Sequence, residues 1–215
     1  TIEAWELELA QAIDLAADHL SLYQLTIEEG TRFHALHAAG KFVMPDADLS
    51  ADLYAVTQEV TAARGLPAYE ISNHARPGAE SRHNLVYWRY GEYVGAGPGA
   101  HGRFIDGTRR IVTFTEKMPE TWANLVEANG NGITGGETLN RSEEADEFLM
   151  MGLRLTEGID LVCYEAMSGR PLSSPRIAVL QDEGLIEPIG NSRLRATPTG
   201  MIVLDALVAD LARTD

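Results

Sequence analysis

The sequence predicts an α/β fold followed by a small winged-helix-like domain, and three observations support this prediction. Within residues 1–72, two amphipathic helical patterns are each followed by an apolar segment typical of a buried strand. From residue 91 the chain becomes glycine-rich and then alternates like a hairpin. From residue 141 short helical patterns precede two strand patterns and a last helix. Hydrophobic residues make up 45% of the 215 residues, which is enough for one moderate core or two small ones.

The chain begins with a helix that leads into a strand. Apolar residues at helical spacing predict a helix over 3–17. The mostly apolar segment 19–25 predicts a strand that is buried on both faces. A short helical piece over 33–39, which Gly40 ends, then follows.

The same order occurs a second time. Ser50 is a candidate cap for a helix that Gly65 ends, and residues 66–72 predict the next strand. Two such units predict a parallel sheet, and in an α/β barrel the carboxyl ends of the strands carry the functional sites. The polar side chains at these ends are candidates for acid–base work or for an arginine–carboxylate pair that only closes the barrel: Glu28, Glu29, His74 and Arg76.

The middle of the chain differs in composition from the first 90 residues. Residues 91–102 are too rich in glycine for a regular element, and 103–114 predict a hairpin that turns at Asp106 and Gly107. Residues 119–130 predict a helix with Pro near its start and Gly just past its end. Residues 129–137 are then expected to form a linker.

The last part predicts a winged-helix order of elements. The expected elements are a helix from Ser142 to Gly158, helices at 160–168 and 174–183, two strands around Gly190 and Asn191, and a helix from Pro198. Such domains commonly bind DNA. From residue 141 onward, however, seven Lys and Arg face thirteen Asp and Glu, a net charge of −6. This sign favours a structural or docking role.

Composition excludes several classes of function. The formal charge of −15 and the pI near 4.7 oppose binding to nucleic acid or anionic lipid. The single cysteine, Cys163, cannot form an internal disulfide or by itself hold an iron–sulfur cluster, and it suits a reducing cytoplasm. No run approaches the roughly 20 apolar residues of a membrane span. The start at Thr1, without a Met, suggests a piece of a longer chain.

The segment "SRHNLVYW" (81–88) carries the strongest candidate site residues. One interpretation is a strand at the barrel edge in which Tyr87 and Trp88 pack while His83 and Asn84 satisfy a turn. The other is a ligand site, since Tyr87 and Trp88 offer broad apolar faces to a planar ligand and His83 offers an imidazole nitrogen to a metal. A metalloporphyrin needs both. Composition alone favours the first interpretation.

The segment "GAGPGAHG" (95–102) is the second candidate. Glycines let the backbone approach a nucleotide-like ligand, but the spacing is not that of a Rossmann fingerprint and no helix follows directly. His101 is a candidate ligand contact or a turn residue.

Four motifs together resemble one family: "HLSLYQLTIEEGTRF", "YEISNHARPG", "RHNLVYW" and "YVGAGPGAHGR". In this order they are similar to the second half of the HemW proteins, the radical S-adenosylmethionine (SAM) haem chaperones related to oxygen-independent coproporphyrinogen III oxidase. The resemblance implies the second half of an incomplete radical SAM (β/α) barrel over 1–115, a helix and linker over 116–136, and the winged-helix-like C-terminal domain over 137–215.

The resemblance also implies roles for particular residues. A family motif implicated in haem handling matches His83, Asn84, Tyr87 and Trp88. The family positions near SAM match two sets of residues: Asp18 and Leu20, and Gly95, Gly97 and Gly99 with His101 beside them. A [4Fe-4S] cluster and SAM are implied for the full-length parent only, because the three-cysteine cluster motif is absent here. Ser81 stands where many relatives have a cysteine, so a metal role at that position is not expected.

Two functions follow from the resemblance. The first is a haem chaperone that delivers haem to an apo-haem protein such as a membrane respiratory protein, with His83 as the axial or orienting residue. The alternative is coproporphyrinogen III oxidase or dehydrogenase activity in porphyrin synthesis. A winged-helix regulator is disfavoured by the acidic terminal domain. Without the first half-barrel, strand edges would be exposed, so we also expect self-association as a homodimer.

Overall fold

The structure is a computed structural model that describes residues 1–213. The chain divides into two units, the first comprising Thr1–Glu80 and the second Ser81–Asp215.

Three helices and two short strands form the first unit. Their bounds are α1 Ile2–Leu15, β1 His19–Ser21, α2 Arg32–Ala38, α3 Ala47–Ala63 and β2 Asn73–Ala75. The three predicted helices are confirmed, and α3 ends as expected before Gly65, whose φ is +77°. The predicted cap at Ser50 is wrong. Instead, the Asp46 carboxylate accepts the Leu49 N–H at 2.8 Å, because a carboxylate at the helix start satisfies an amide left without a helical partner.

The strands depart from the predicted parallel pair. Strand β1 covers only the first three residues of the predicted segment 19–25, and 66–72 is not a strand. The Tyr69 N–H donates to the Asn73 carbonyl at 3.1 Å, so the chain reverses between these residues. The returning arm, β2, then pairs antiparallel with β1 and places His74 opposite Leu20. The reversal explains why the prediction of a parallel sheet is wrong.

A small apolar cluster holds the first unit together. Leu9 and Ile13 of α1 pack with Leu66, which follows α3, and all three are buried. Four partly buried side chains surround this cluster: Trp5, Leu20, Leu22 and Val60. Burial of this apolar surface fixes α1 against α3 beside β1.

The second unit begins with a helix and a three-stranded antiparallel sheet. The elements are α4 Arg82–Trp88, β3 His101–Asp106, β4 Arg109–Thr115, α5 Pro119–Asn129 and β5 Ile133–Thr138, and the sheet order is β3-β4-β5. The hairpin at Asp106 and Gly107 is confirmed, with a φ of +63° at Gly107.

The prediction of a linker over 129–137 is wrong, because most of this segment is strand β5. A Cβ atom at Gly135 would lie 2.2 Å from the Phe114 ring, and one at Gly136 would lie 2.6 Å from the Val112 carbonyl oxygen. The glycines therefore allow β5 to lie close against β4 and its side chains.

The C-terminal part keeps the predicted order of helices, two strands and a last helix. Its elements are α6 Arg141–Gly152, β6 Ile159–Asp160, α7 Leu161–Ser168, α8 Ser174–Asp182, β7 Ile186–Ile189, β8 Arg193–Ala196, α9 Pro198–Ile202 and α10 Leu204–Ala212. The short β6 adds a third strand, and the sheet order is β6-β8-β7. Its core consists of buried apolar residues, among them Leu149, Leu153, Leu155, Ile159, Tyr164, Ile186, Leu194, Leu204, Leu207 and Leu211.

Two helix boundaries in this part differ from the prediction. The first helix is capped by Asn140 in a capping box with Glu143 and ends at Gly152, six residues before the expected Gly158. It stops early because the following residues turn to pair Ile159 with Leu194 in the sheet. The predicted last helix is divided at Val203 into α9 and α10.

Candidate functional site

The motif over 81–88 forms a helix, so its interpretation as a barrel-edge strand is wrong. Helix α4 begins after Ser81, whose hydroxyl oxygen accepts the Asn84 N–H at 3.3 Å. It ends at Trp88, and Tyr90 then takes a left-handed conformation with φ of +56°.

Helical geometry arranges the four motif residues as two pairs. Residues four apart lie on the same helix face. His83 is thereby paired with Tyr87, and Asn84 with Trp88. The Tyr87 hydroxyl lies 2.7 Å from His83 Nε2, and the two rings meet edge to face at 4.7 Å. The helix therefore explains the spacing of the motif.

Tyr93 extends the first pair into a row of three rings. Its ring meets that of Tyr87 edge to face at 4.4 Å. The Tyr93 side chain is partly buried, and this burial raises its pKa. The His83 side chain, at the other end of the row, is exposed. Sequence reasoning missed Tyr93, although it lies six residues after Tyr87 in the same aromatic stretch. The row offers one exposed imidazole beside aromatic rings that meet edge to face.

The second pair lies next to a cation from the C-terminal part. The Arg154 guanidinium carbon is 5.8 Å from the centre of the Trp88 ring, within the range of a cation–π contact. At the adjacent position, Arg89 donates two hydrogen bonds to the Glu157 carboxylate, at 2.9 and 2.8 Å. This pairing lowers the pKa of Glu157. Helix α4 is thus fastened to the segment that follows α6.

Tyr90 anchors the chain immediately after α4. It is buried, and its hydroxyl donates to the Glu147 carboxylate at 3.0 Å. The Arg110 guanidinium lies 3.8 Å from the centre of the Tyr90 ring and donates to the Tyr90 carbonyl at 3.1 Å. Burial, with the negative charge of Glu147, raises the pKa of Tyr90. These contacts hold the end of the helix in one conformation.

The packing and backbone conformation of residues 95–102 explain why glycines occur there. A Cβ atom at Gly95 would lie 2.4 Å from the His101 carbonyl oxygen. Gly97 and Gly99 have φ values of +100° and +69°, which side chains disfavour. The Gly97 carbonyl accepts the Thr115 hydroxyl at 2.6 Å. The His101 side chain is exposed, and its ring lies 6.1 Å from that of Phe114.

The remaining predicted residues lie in the first unit. The Asp18 carboxylate accepts from Arg76 Nε at 3.0 Å, and Leu20 packs against the apolar cluster. Arg76 therefore forms an ion pair with a carboxylate, but the partner is Asp18 and not Glu28 or Glu29. Glu28 and Glu29 are exposed.

The donor set does not fit an iron–sulfur cluster. Cys163, the one cysteine of the sequence, is exposed on α7, and residues 1–213 contain no group of three His, Cys, Asp or Glu that could hold a metal ion. A cluster of this type takes several thiolates, and the chain has a single cysteine. Among the same residues, no helix combines the length and apolar character needed to cross a membrane.

Comparison with known proteins gives consistent matches. Residues 139–203 match the family described as the HemN C-terminal domain. The chain is 36% identical over 200 residues to the haem chaperone HemW of Mycobacterium tuberculosis (strain ATCC 25618 / H37Rv), covering 93% of the chain and 49% of that protein. It is 32% identical over 226 residues to "Radical S-adenosyl methionine domain-containing protein 1, mitochondrial" of Danio rerio, covering 97% of the chain and 49% of that protein.

A solved structure agrees with these relatives. The structure described as coproporphyrinogen III oxidase (HemN) from Escherichia coli, a radical SAM enzyme, matches with a TM-score of 0.72 at 17% identity, over 99% of the chain and 52% of the solved chain. At this identity the match concerns the fold alone. The chain spans about half the length of the curated relatives that it matches.

Proposed function

The chain belongs to the HemW-like radical SAM proteins, and from this premise we propose that it binds haem as part of a chaperone that delivers haem to apo-haem proteins. The observation that carries the proposal is α4, where the exposed His83 imidazole stands at the end of a row of aromatic rings. Bacterial relatives that are named haem chaperones support it.

In this proposal the four motif residues of α4 bind haem together. His83 binds or orients the haem iron through its imidazole, while Tyr87 and Trp88 cover the macrocycle and Asn84 offers a polar group beside it. The Tyr87 hydroxyl lies 2.7 Å from Nε2, so an iron atom that takes this nitrogen must displace the hydroxyl. Tyr87 thus holds the imidazole in place before haem arrives.

The other family cofactors belong to the longer parent. We propose that Asp18 and Leu20 lie near SAM there, and that the segment with Gly95, Gly97, Gly99 and His101 also lies near SAM. SAM would supply the radical chemistry of the parent. The protein residues available here bind and orient, and the chain has too few cysteines for the [4Fe-4S] cluster.

The recipient, the assembly state and the location remain predictions. We propose an apo-haem protein, such as a membrane respiratory protein, as the recipient, a homodimer as the assembly and the cytoplasm as the location; nucleic acid is not a proposed partner. Sedimentation over a broad concentration range tests the dimer, and a strictly monomeric profile would exclude it.

A haem titration followed by absorbance tests the main proposal. We expect a saturable Soret shift with one site, weakened at least tenfold by His83→Ala, because loss of an axial imidazole removes the bond to iron. The matched control is His37→Ala, which removes another exposed histidine, on α2, and should leave the titration unchanged. A shift that is absent, or equally strong in both variants, would contradict the proposal.

The alternative is coproporphyrinogen III oxidase activity. It has weaker support, since the match to the enzyme of that name at 17% identity concerns the fold alone. Turnover of coproporphyrinogen by the longer parent, together with no haem binding, would favour the enzyme over the chaperone.

A further inference from the structure

We propose that the first unit contains a second, separate binding site, which takes a small bicyclic aromatic molecule carrying one N–H donor in a cavity beside His74. The proposal does not depend on haem binding, because every residue of this cavity belongs to residues 1–80 and His83 does not.

The cavity lies between α1, α3 and the segments that follow β1 and α2. Its volume is about 270 Å³. Apolar and aromatic side chains form most of its wall: Trp5, Leu22, Tyr23, Leu25, Phe42, Met44, Pro45, Leu53, Tyr54 and Ile71. An apolar wall with few polar groups is typical of a site for a small organic molecule.

His74 supplies an acceptor to this cavity. Its side chain lines the cavity, and the residue is only 1% exposed. Nδ1 lies 3.0 Å from the Thr61 hydroxyl oxygen, and that hydroxyl donates to the Thr57 carbonyl at 2.7 Å. The Thr61 oxygen therefore accepts a hydrogen bond from the Nδ1–H group. In the neutral ring this leaves Nε2 as a bare acceptor.

The Nε2 atom has no hydrogen-bond partner within the part of the chain that the structure describes. Burial lowers the pKa of His74 to about 4, so the ring is neutral near pH 7. A buried acceptor without a partner is unfavourable, and a ligand that donates one hydrogen bond removes this cost.

Two other polar groups of the cavity are already paired. The Trp5 indole N–H donates to the Thr57 hydroxyl oxygen at 2.8 Å, and the Gln24 amide donates to the Ser50 carbonyl at 3.0 Å. Their donors therefore do not compete for the bare nitrogen. The ligand that fits best is thus mainly apolar and carries a donor that faces His74.

Size limits the ligand further. A cavity of about 150 Å³ lined by apolar side chains can bind benzene, so about 270 Å³ suits two fused rings. The four pyrrole rings of a porphyrin need much more room. Aromatic side chains from three segments, Trp5, Phe42 and Tyr54, supply faces and edges for a flat molecule.

The test compares indole with benzothiophene, which has nearly the same shape and a sulfur atom in place of the N–H group. In calorimetric titrations of the 215-residue chain we expect both to bind, with indole about three- to tenfold tighter, the range that one net hydrogen bond gives. Equal affinity, or no binding of either compound, would overturn the proposal. This comparison needs no variant that could fail to fold.

Variants then locate the hydrogen bond. His74→Phe should abolish the preference for indole while benzothiophene still binds, and the control His34→Phe, at an exposed position on α2, should keep the preference. A preference that survives in His74→Phe would refute the assignment to His74. His83→Ala should leave indole binding unchanged, so failure of the haem proposal and failure of this one give different results.

Discussion

The burial of His74 should make the first unit unstable in mild acid. The pKa of His74 lies near 4 in the folded chain and near 6.5 for an ordinary histidine, with burial as the main cause and the nearby His19 as a smaller one. Between these two pKa values the unfolded chain binds a proton at His74 that the folded chain does not bind. The free energy of unfolding therefore falls as the pH drops from about 6.5 towards about 4.

The size of this effect follows from the two pKa values. Between pH 7 and pH 4.5 the difference in proton binding removes about 2.5 kcal/mol from the free energy of unfolding. A loss of this size is a large fraction of the stability of an ordinary small domain. His74→Phe removes the proton site, so its stability should depend less on pH over the same interval by about the same amount.

Urea unfolding measured at several pH values checks this prediction. Trp5 is the one tryptophan among residues 1–80, so its fluorescence reports on the first unit once Trp88 and Trp122 are replaced by Phe. The two chains contain the same carboxylates, so the difference between their curves isolates the contribution of His74. Parallel curves for the His74→Phe and unchanged chains would refute the reasoning, and His34→Phe controls for loss of an exposed histidine.

Two further predictions concern residues that support the proposed haem site. Glu147→Ala leaves a phenol and a guanidinium in partly buried positions without their acceptor, so it should lower the free energy of unfolding of the second unit by about 2–3 kcal/mol. The control Glu127→Ala, at an exposed position, should cause no change. Urea titration monitored by circular dichroism measures both variants. Gly95→Ala forces a methyl group against the His101 carbonyl oxygen and should cost about 1–3 kcal/mol in the same assay. Ala96→Ser, at an exposed neighbour, serves as its control, and equal stabilities would contradict the close approach.

Helices and tight turns could be predicted from the sequence because their signals are local. The apolar spacing, the glycine that ends α3 and the turn at Gly107 depend on neighbouring residues only, and these predictions are confirmed, whereas the predicted cap at Ser50 is wrong. The family match over residues 139–203 lies outside the four motifs from which the resemblance was drawn.

Strand pairing was less predictable because it depends on contacts that the pattern does not show. The reversal before β2 is stabilised by buried polar groups, with Asn73 donating to the Glu70 carboxylate and Ser21 to the Asn73 amide oxygen. Residues 66–72 are apolar enough to suggest a strand in spite of this. Strand β5 was missed for the opposite reason, since its glycines suggest a loop while their lack of side chains permits close pairing.

The candidate site was also only partly predictable, because some of its features are local and others depend on the folded chain. The four residues of the motif were identified from a resemblance, yet the sequence did not indicate which of them would be neighbours. Helix formation determines that, and Tyr93 joins them only through the path of the chain after α4. The His74 cavity could not be predicted from the sequence, because the burial of His74 and the lack of a partner for its Nε2 atom are properties of the folded chain.

The helical form of α4 also limits how this segment can change in evolution. Inserting or deleting one residue between Asn84 and Tyr87 would rotate everything beyond that point by about 100° around the helix axis. His83 would then lose its hydroxyl neighbour, and the contact of Arg89 with Glu157 would move with it. Substitutions can adjust the chemistry of this surface one position at a time, whereas a change of length would separate the imidazole from the aromatic ring that holds it.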